Sequence, residues 1–176
     1  LSVNNNKKAG QLRYKWWTDL VKGVYSGDID SRQFQHPIAE ELIQTIQTKQ
    51  LSQRWLEYII EAKTQSLLSS QFDTLSSLED HVEKTHSSLN YLTLEILNSK
   101  DEKYPEEIDH MASHIGVAFG LVSVLRGTAY DVSQGEWRIP QETLLNKGLP
   151  STFQKNLLTS MTSSEKLTVE DEKKFK

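Results

Sequence analysis

His110 and His114 stand four residues apart, the spacing that sets two imidazoles on one helical face as a metal site requires. Two ligands do not make a site. Position 111 is Met rather than the Glu of a zinc-protease H-E-x-x-H run, and the chain of 176 residues has no Cys. A solvated or hydrogen-bonded histidine pair is therefore expected, and no metal is assigned. Asp28 and Asp30 form a D-x-D without a following ligand series and read as a helix stop. Ser, His and Asp are all present, yet no G-x-S-x-G elbow exposes a serine, so hydrolase chemistry has no foothold. Neither G-x-G-x-x-G nor G-x-x-x-x-G-K-[ST] occurs, which removes the usual nucleotide-phosphate cradles. The carboxylate pairs Glu79 with Glu83 and Glu106 with Asp109 read as solvated helix faces. No cofactor is expected.

Twenty Lys and Arg against 24 Asp and Glu leave a net charge of -4, so no broad positive field points to nucleic acid as a partner. The lack of Cys excludes disulfides, thiolate zinc sites and cysteine nucleophiles together. The longest apolar run, Ile115 to Leu125, is shorter than the roughly 20 residues needed to cross a bilayer. A spanning helix is not expected, and peripheral attachment stays open.

The elements that must position these residues are helical. Only 8 Gly and 4 Pro punctuate the chain, and apolar residues recur at three-four spacing instead of alternating. Leu12, Trp16, Leu20 and Val24 share a face of a first helix that Gly27 and the Asp28–Asp30 segment should end. Pro37 suits the first turn of a second helix, with Ile38, Leu42 and Ile46 on one face. Ser52 suits the N-cap of a third, carrying Trp55, Ile59 and Ala62. From Thr74 to Asn98 the residues Leu75, Leu78, Val82, Thr85, Leu89, Leu92 and Ile96 advance by 3, 4, 3, 4, 3, 4, which predicts one long helix with that stripe buried. Asp73 or Thr74 should cap it, and the cluster Asn98 to Asp101 should end it.

Pro105 opens another helix expected to run to about Thr128, followed by a loop to Pro140 and a short helix from Glu142 to Lys147. Within the Pro105 helix, Ala112, Gly116 and Gly120 stand four apart. Two interior glycines cost helix stability, so a close neighbour or a ligand should be pressed against them, and tight core packing is the simpler account. From Ser163 the chain is polar and charge-mixed, and residues 161–176 are expected to be a disordered tail.

An ordered set of segments is more specific: QLRYKWW at Gln11–Trp17, LEDHVEKTHSSL at Leu78–Leu89, and HIGVAFGLVSVLR at His114–Arg126 ahead of Ile139-Pro140. In that order they resemble the squalene/phytoene synthase family over most of residues 11 to 150. Trp16-Trp17-Thr-Asp-Leu, the run from Ser87 to Leu97 and Ala112-Ser-His-Ile-Gly resemble a non-catalytic mitochondrial branch of it, which serves respiratory complex I assembly. The resemblance implies an all-α, isoprenoid-synthase-like helical bundle over residues 1–160. The family's first aspartate motif would lie upstream of Trp16, so the domain is expected to be partial.

Active members join two prenyl diphosphates, and two aspartate-rich motifs hold Mg²⁺ against the leaving diphosphate, whose charge hard cations must neutralise. In the second motif the family pattern is Asn-x-x-Arg-Asp with a further Asp four residues on. Here those positions read Ser123, Arg126, Gly127 and Asp131. One carboxylate survives, and no Asp anywhere in the chain is followed by another three or four residues later. The resemblance thus implies a pseudoenzyme with no catalytic residues, located at the matrix face of the mitochondrial inner membrane. Its partners would be complex I subunits or assembly intermediates. Trp137, beside Gly135, is a candidate partner contact, with Trp17 as another, whereas Trp55 is expected in the core. The rival is a prenyl-lipid binder or residual transferase, in which Arg126 and Arg138 meet an anionic head group.

Overall fold

The computed structural model describes residues 2–29, 34–69, 71–97, 105–150, 152–154, 156–157 and 159–160. Among them the chain is all-α, with no strand. The helices are α1 (Ser2–Ser26), α2 (Pro37–Lys49), α3 (Gln53–Leu68), α4 (Leu75–Val82), a π-helical turn (Glu83–Ser87), α5 (Ser88–Leu97), α6 (Glu106–Ser133) and α7 (Gln141–Asn146). Asp30, the turn cluster at 98–101 and the expected tail at 161–176 lie outside the described residues. The chain divides into two compact units, Leu1–Leu68 with Asp80–Gly120, and Ser69–Glu79 with Leu121–Lys176.

In the first unit, α1 ends at Ser26 ahead of Gly27, whose φ of 74° suits a residue without a Cβ. Pro37 occupies the first turn of α2, and His36 Nδ1 accepts the Ile38 N–H at 3.2 Å to cap it. Leu20, Val21, Phe34 and Ala39 form one buried cluster, with Trp16, Trp17 and Val24 packed against it. Ile46, Leu51 and Leu92 form a second. Of the expected α1 stripe Leu20 is buried and Trp16 and Val24 are partly so, whereas Leu12 is 69% exposed. Nearer the start of α1, the face that meets α3 passes through Gly10, where an added Cβ would stand 2.6 Å from the Leu67 side chain.

Glu95 of α5 supplies the start of α3 with its carboxylate. Oε2 accepts the Ser52 N–H at 2.8 Å and Oε1 accepts the Trp55 indole N–H at 3.0 Å. A carboxylate at that end also meets the positive pole of the helix. Trp55 is half-buried and stacked on Tyr91 at 4.3 Å, which agrees with a packing role. Nearby, Tyr25 donates its hydroxyl to the Leu51 carbonyl at 2.6 Å. Burial, reinforced by the negative charges of Glu95 and Glu57, pushes the Tyr25 phenol up to about 12.

The long helix expected from Thr74 to Asn98 is interrupted in its hydrogen-bond period. Thr74 does cap α4, its Oγ1 accepting the Ser77 N–H at 3.1 Å while Ser77 Oγ accepts the Thr74 N–H at 3.3 Å. After Val82 the chain takes i→i+5 hydrogen bonds through Ser87. Each residue there turns through a smaller angle about the axis, so the face presented to the core shifts. Val82 and Thr85 are buried, and next come Ser87, Ser88 and Leu92. Leu89 and Ile96, expected inside, are 53% and 39% exposed.

In the second unit α6 runs to Ser133, past the expected end at Thr128. It closes with Gly135 at φ 76°, the Gly135 N–H bonding to the Val132 carbonyl and the Glu136 N–H to the Asp131 carbonyl. Val132, Trp137 and Leu144 form this unit's core, with Ile139, Leu149 and Phe153 against it. Glu142 of α7 accepts the Leu75 N–H at 3.0 Å, which ties α7 to the first turn of α4.

Candidate functional site

Ser123, Arg126, Gly127 and Asp131, the positions expected to form a degenerate aspartate motif, lie in the last turns of α6. Ser123, Gly127 and Asp131 are spaced by four and so share a face, while Arg126 is exposed beside them. The turn at Gly135 reverses the chain and brings Arg138 back onto this face. Arg138 Nε lies 3.1 Å from Asp131 Oδ2, and its Nη2 lies 3.1 Å from Glu136 Oε2. The Asp131 carboxylate is only 15% exposed. Arg138 Nε lacks an acceptor at a good hydrogen-bond angle, so the attraction to Asp131 is chiefly that of opposite charges.

Magnesium does not fit these residues. A Mg²⁺ ion is held by carboxylate oxygens in near-octahedral geometry, and a single carboxylate already neutralised by a guanidinium is a poor start. Gly127 offers no ligand, and a Cβ built there would stand 3.6 Å from Asp131 Oδ2, in ordinary contact and without displacing anything. Arg138, named as a head-group contact, is held between two carboxylates; Arg126 is the more accessible of the two arginines.

The expectation of an exposed Trp137 is corrected. Its ring is 6% exposed inside the Val132–Leu144 cluster, because the turn at Gly135 folds it under α6. Its indole N–H is buried without an acceptor among the described residues. Trp17 is half-buried against the α1–α2 core. The most exposed large aromatic residues among those described are on α6, where Phe119 is 63% and Tyr130 69% exposed.

The glycines of α6 explain that exposure. A Cβ at Gly116 would stand 2.6 Å from Ser87 Cα and N, and one at Gly120 would stand 2.5 Å from Val82 Cβ. Ser87 Oγ donates to the Ser113 carbonyl at 3.0 Å, Asn90 Nδ2 to the Ala112 carbonyl at 2.9 Å, and Ser113 Oγ to Glu83 Oε1 at 3.2 Å. The small-residue stripe therefore serves close packing, as the simpler account held. A helix that buries its small stripe turns its large residues outward, and Met111 and Ile115 are each 59% exposed. The residue types at 112, 116 and 120 already carried that signal.

Nothing in the apolar spacing announces the π-helical turn or His86 within it. The only hint is the polar run Thr85–Ser88 inside an otherwise apolar stripe. His86 Nδ1 lies 3.0 Å from Thr85 Oγ1, and its ring is 5.7 Å from Phe119. Burial, with the charge of Lys63 adding to it, lowers its pKa below the ordinary imidazole value. His110 and His114 are both exposed on α6 with their Nε2 atoms 3.2 Å apart, the hydrogen-bonded pair expected of them. Between α1 and α3 a groove of about 390 Å³ is lined by Lys22, Glu57 and Glu61. Its mixed charges match no motif.

The expectation that no helix could span a bilayer needs correction. By length and composition alone α6 is sufficient, although core helices of soluble proteins pass the same test. The apolar stretch of α6 extends beyond the run from Ile115 to Leu125 once small and weakly polar residues are admitted. The packing of Gly116 and Gly120 against Ser87 and Val82 fixes α6 to other protein elements along that side.

The model of the squalene/phytoene synthase family matches residues 2–166. Among curated proteins, the Bos taurus protein named NADH dehydrogenase (ubiquinone) complex I, assembly factor 6, is 37% identical over 145 residues. That match takes in 82% of this chain and 41% of the relative. The Homo sapiens protein of the same name is 35% identical over the same shares. A Dictyostelium discoideum homolog is 28% identical over 181 residues, covering 97% of this chain and 49% of its own length. The chain thus spans less than half the length of these relatives. No solved structure matches.

Proposed function

The chain belongs to the squalene/phytoene synthase family, and from the names of its relatives we propose that it serves the assembly of mitochondrial respiratory complex I by binding assembly intermediates, without prenyl-transfer catalysis. The observation that carries the loss of catalysis is the ion pair of Asp131 with Arg138, beside a Gly127 that has no side chain. The relatives named for complex I assembly support the process. Ionising a prenyl diphosphate requires cations to take up the charge of the leaving group. Asp131 instead neutralises Arg138 and braces the turn after α6. The outward side of α6, with Met111, Ile115 and Phe119, supplies apolar area of the kind that protein interfaces bury.

Placement at the matrix face of the inner membrane, in peripheral contact with it, belongs to the same proposal. Two measurements test it. Farnesyl or geranylgeranyl diphosphate with Mg²⁺ should give no diphosphate release, and sustained release would overturn the pseudoenzyme reading. Tagged protein captured from mitochondria should bring complex I subunits with it; recovery of none removes the assembly role.

The second reading, a prenyl-lipid binder, is favoured by one observation, the exposed apolar residues Val122 and Leu125 next to the accessible Arg126. Lipid extracted from the purified protein separates the two, since a bound prenyl lipid supports this reading and its absence supports the first.

A further inference from the structure

His110 and His114 lie inside α6, whose backbone fixes their Cβ atoms one turn apart. Their Nε2 atoms face each other at 3.2 Å, with the rings at 73°. Two nitrogens bound to one zinc ion at about 2.0–2.1 Å and the tetrahedral angle stand about 3.3–3.4 Å apart. At the right angle of a square-planar or octahedral ion, the same bonds give about 2.9–3.0 Å. The observed separation falls between the two.

We propose that His110 and His114, too few by themselves to make a complete site, form an open two-nitrogen chelate for a divalent cation of borderline softness, Zn²⁺, Ni²⁺ or Cu²⁺, on the exposed side of α6. Imidazole nitrogen selects this class of ion over Mg²⁺ and Ca²⁺, which prefer oxygen. The site is therefore unrelated in chemistry to the magnesium motif that the chain has lost, and it does not depend on the assembly reading. In the metal-free pair, one Nε2–H donates to the lone pair of the other nitrogen. The metal takes that proton's place once both rings carry hydrogen on Nδ1, so a tautomer change on one ring completes the chelate. Among the described residues no third His, Asp or Glu gathers with the pair. Water or an incoming donor fills the remaining positions, and the site stays open toward a partner.

The test uses the whole chain and the metal alone. Zn²⁺ is titrated in a non-coordinating buffer, followed by calorimetry and by the imidazole ¹⁵N resonances. The Nε2 signals of His110 and His114 should move together while those of His36 and His81 stay in place. His110→Ala and His114→Ala should each weaken binding by at least about tenfold, since each removes one of two ligands. Mg²⁺ should move nothing. Equal Zn²⁺ affinity in the double variant, or Nε2 resonances unmoved at millimolar Zn²⁺, overturns the proposal. Both side chains are exposed, so the variants should keep the fold; if one does not, the ¹⁵N shifts of the unaltered chain decide.

Discussion

Asp131 Oδ2 lies 3.1 Å from Arg138 Nε, across the turn that ends α6. The pair is partly buried, with the arginine side chain 33% and the carboxylate 15% exposed. It acts as a structural clasp across that turn.

Replacing Arg138 by Met should strand that carboxylate and cost about 1–3 kcal/mol, between the values for exposed and buried pairs. Adding Asp131→Leu to Arg138→Met should restore part of the loss. Urea denaturation of the two single variants and the double completes the cycle. Full additivity would mean that the two groups do not interact. Millimolar Mg²⁺ should leave the unaltered protein's midpoint where it is.

Gly116 and Gly127 sit in the same helix and should respond to alanine with opposite signs. At Gly116 the new methyl meets Ser87 backbone atoms, which cannot rotate away, and the cost should be at least about 2 kcal/mol. At Gly127 the nearest atom is 3.6 Å away, so the gain in helix propensity should prevail and stabilise by about 0.5–1 kcal/mol. Thermal midpoints of the two variants read this directly, and a shift of the same sign in both would refute the packing described for α6.

Trp137 should be a stability residue. Trp137→Ala is expected to cost about 3–5 kcal/mol by emptying the Val132–Leu144 cluster. Trp137→Phe should cost much less, because the indole N–H it removes has no acceptor among the described residues. A Phe variant as damaged as the Ala variant would show that the N–H is bonded after all.

Stability should fall in mild acid through His86. Its folded pKa is lowered, so the unfolded chain takes up a proton that the folded chain resists. The contribution is fully present above the ordinary imidazole value of about 6.5, and it is lost as pH drops below that value toward the folded pKa. His86→Asn should flatten the dependence of the urea midpoint on pH between about 5 and 7. An unchanged slope would place the titrating group elsewhere.

The helical class, the cap at Thr74, the proline starts of α2 and α6 and the glycine stops were all written locally, in residues that fix φ or supply a hydrogen bond within four positions. The absence of a carboxylate at 127 was equally legible, because a glycine needs no tertiary structure to be seen. Tertiary packing decided the rest. The π-helical turn shifts Leu89 outward and Ser88 inward, a phase change that regular three-four spacing cannot reveal. Arg138 reaches Asp131, and Trp137 goes under rather than out, only because a left-handed residue at Gly135 reverses the chain. Side-chain type sets what a position can do, whereas the path of the backbone sets which groups meet, and here it is the reversal at Gly135 that lets one arginine meet one aspartate.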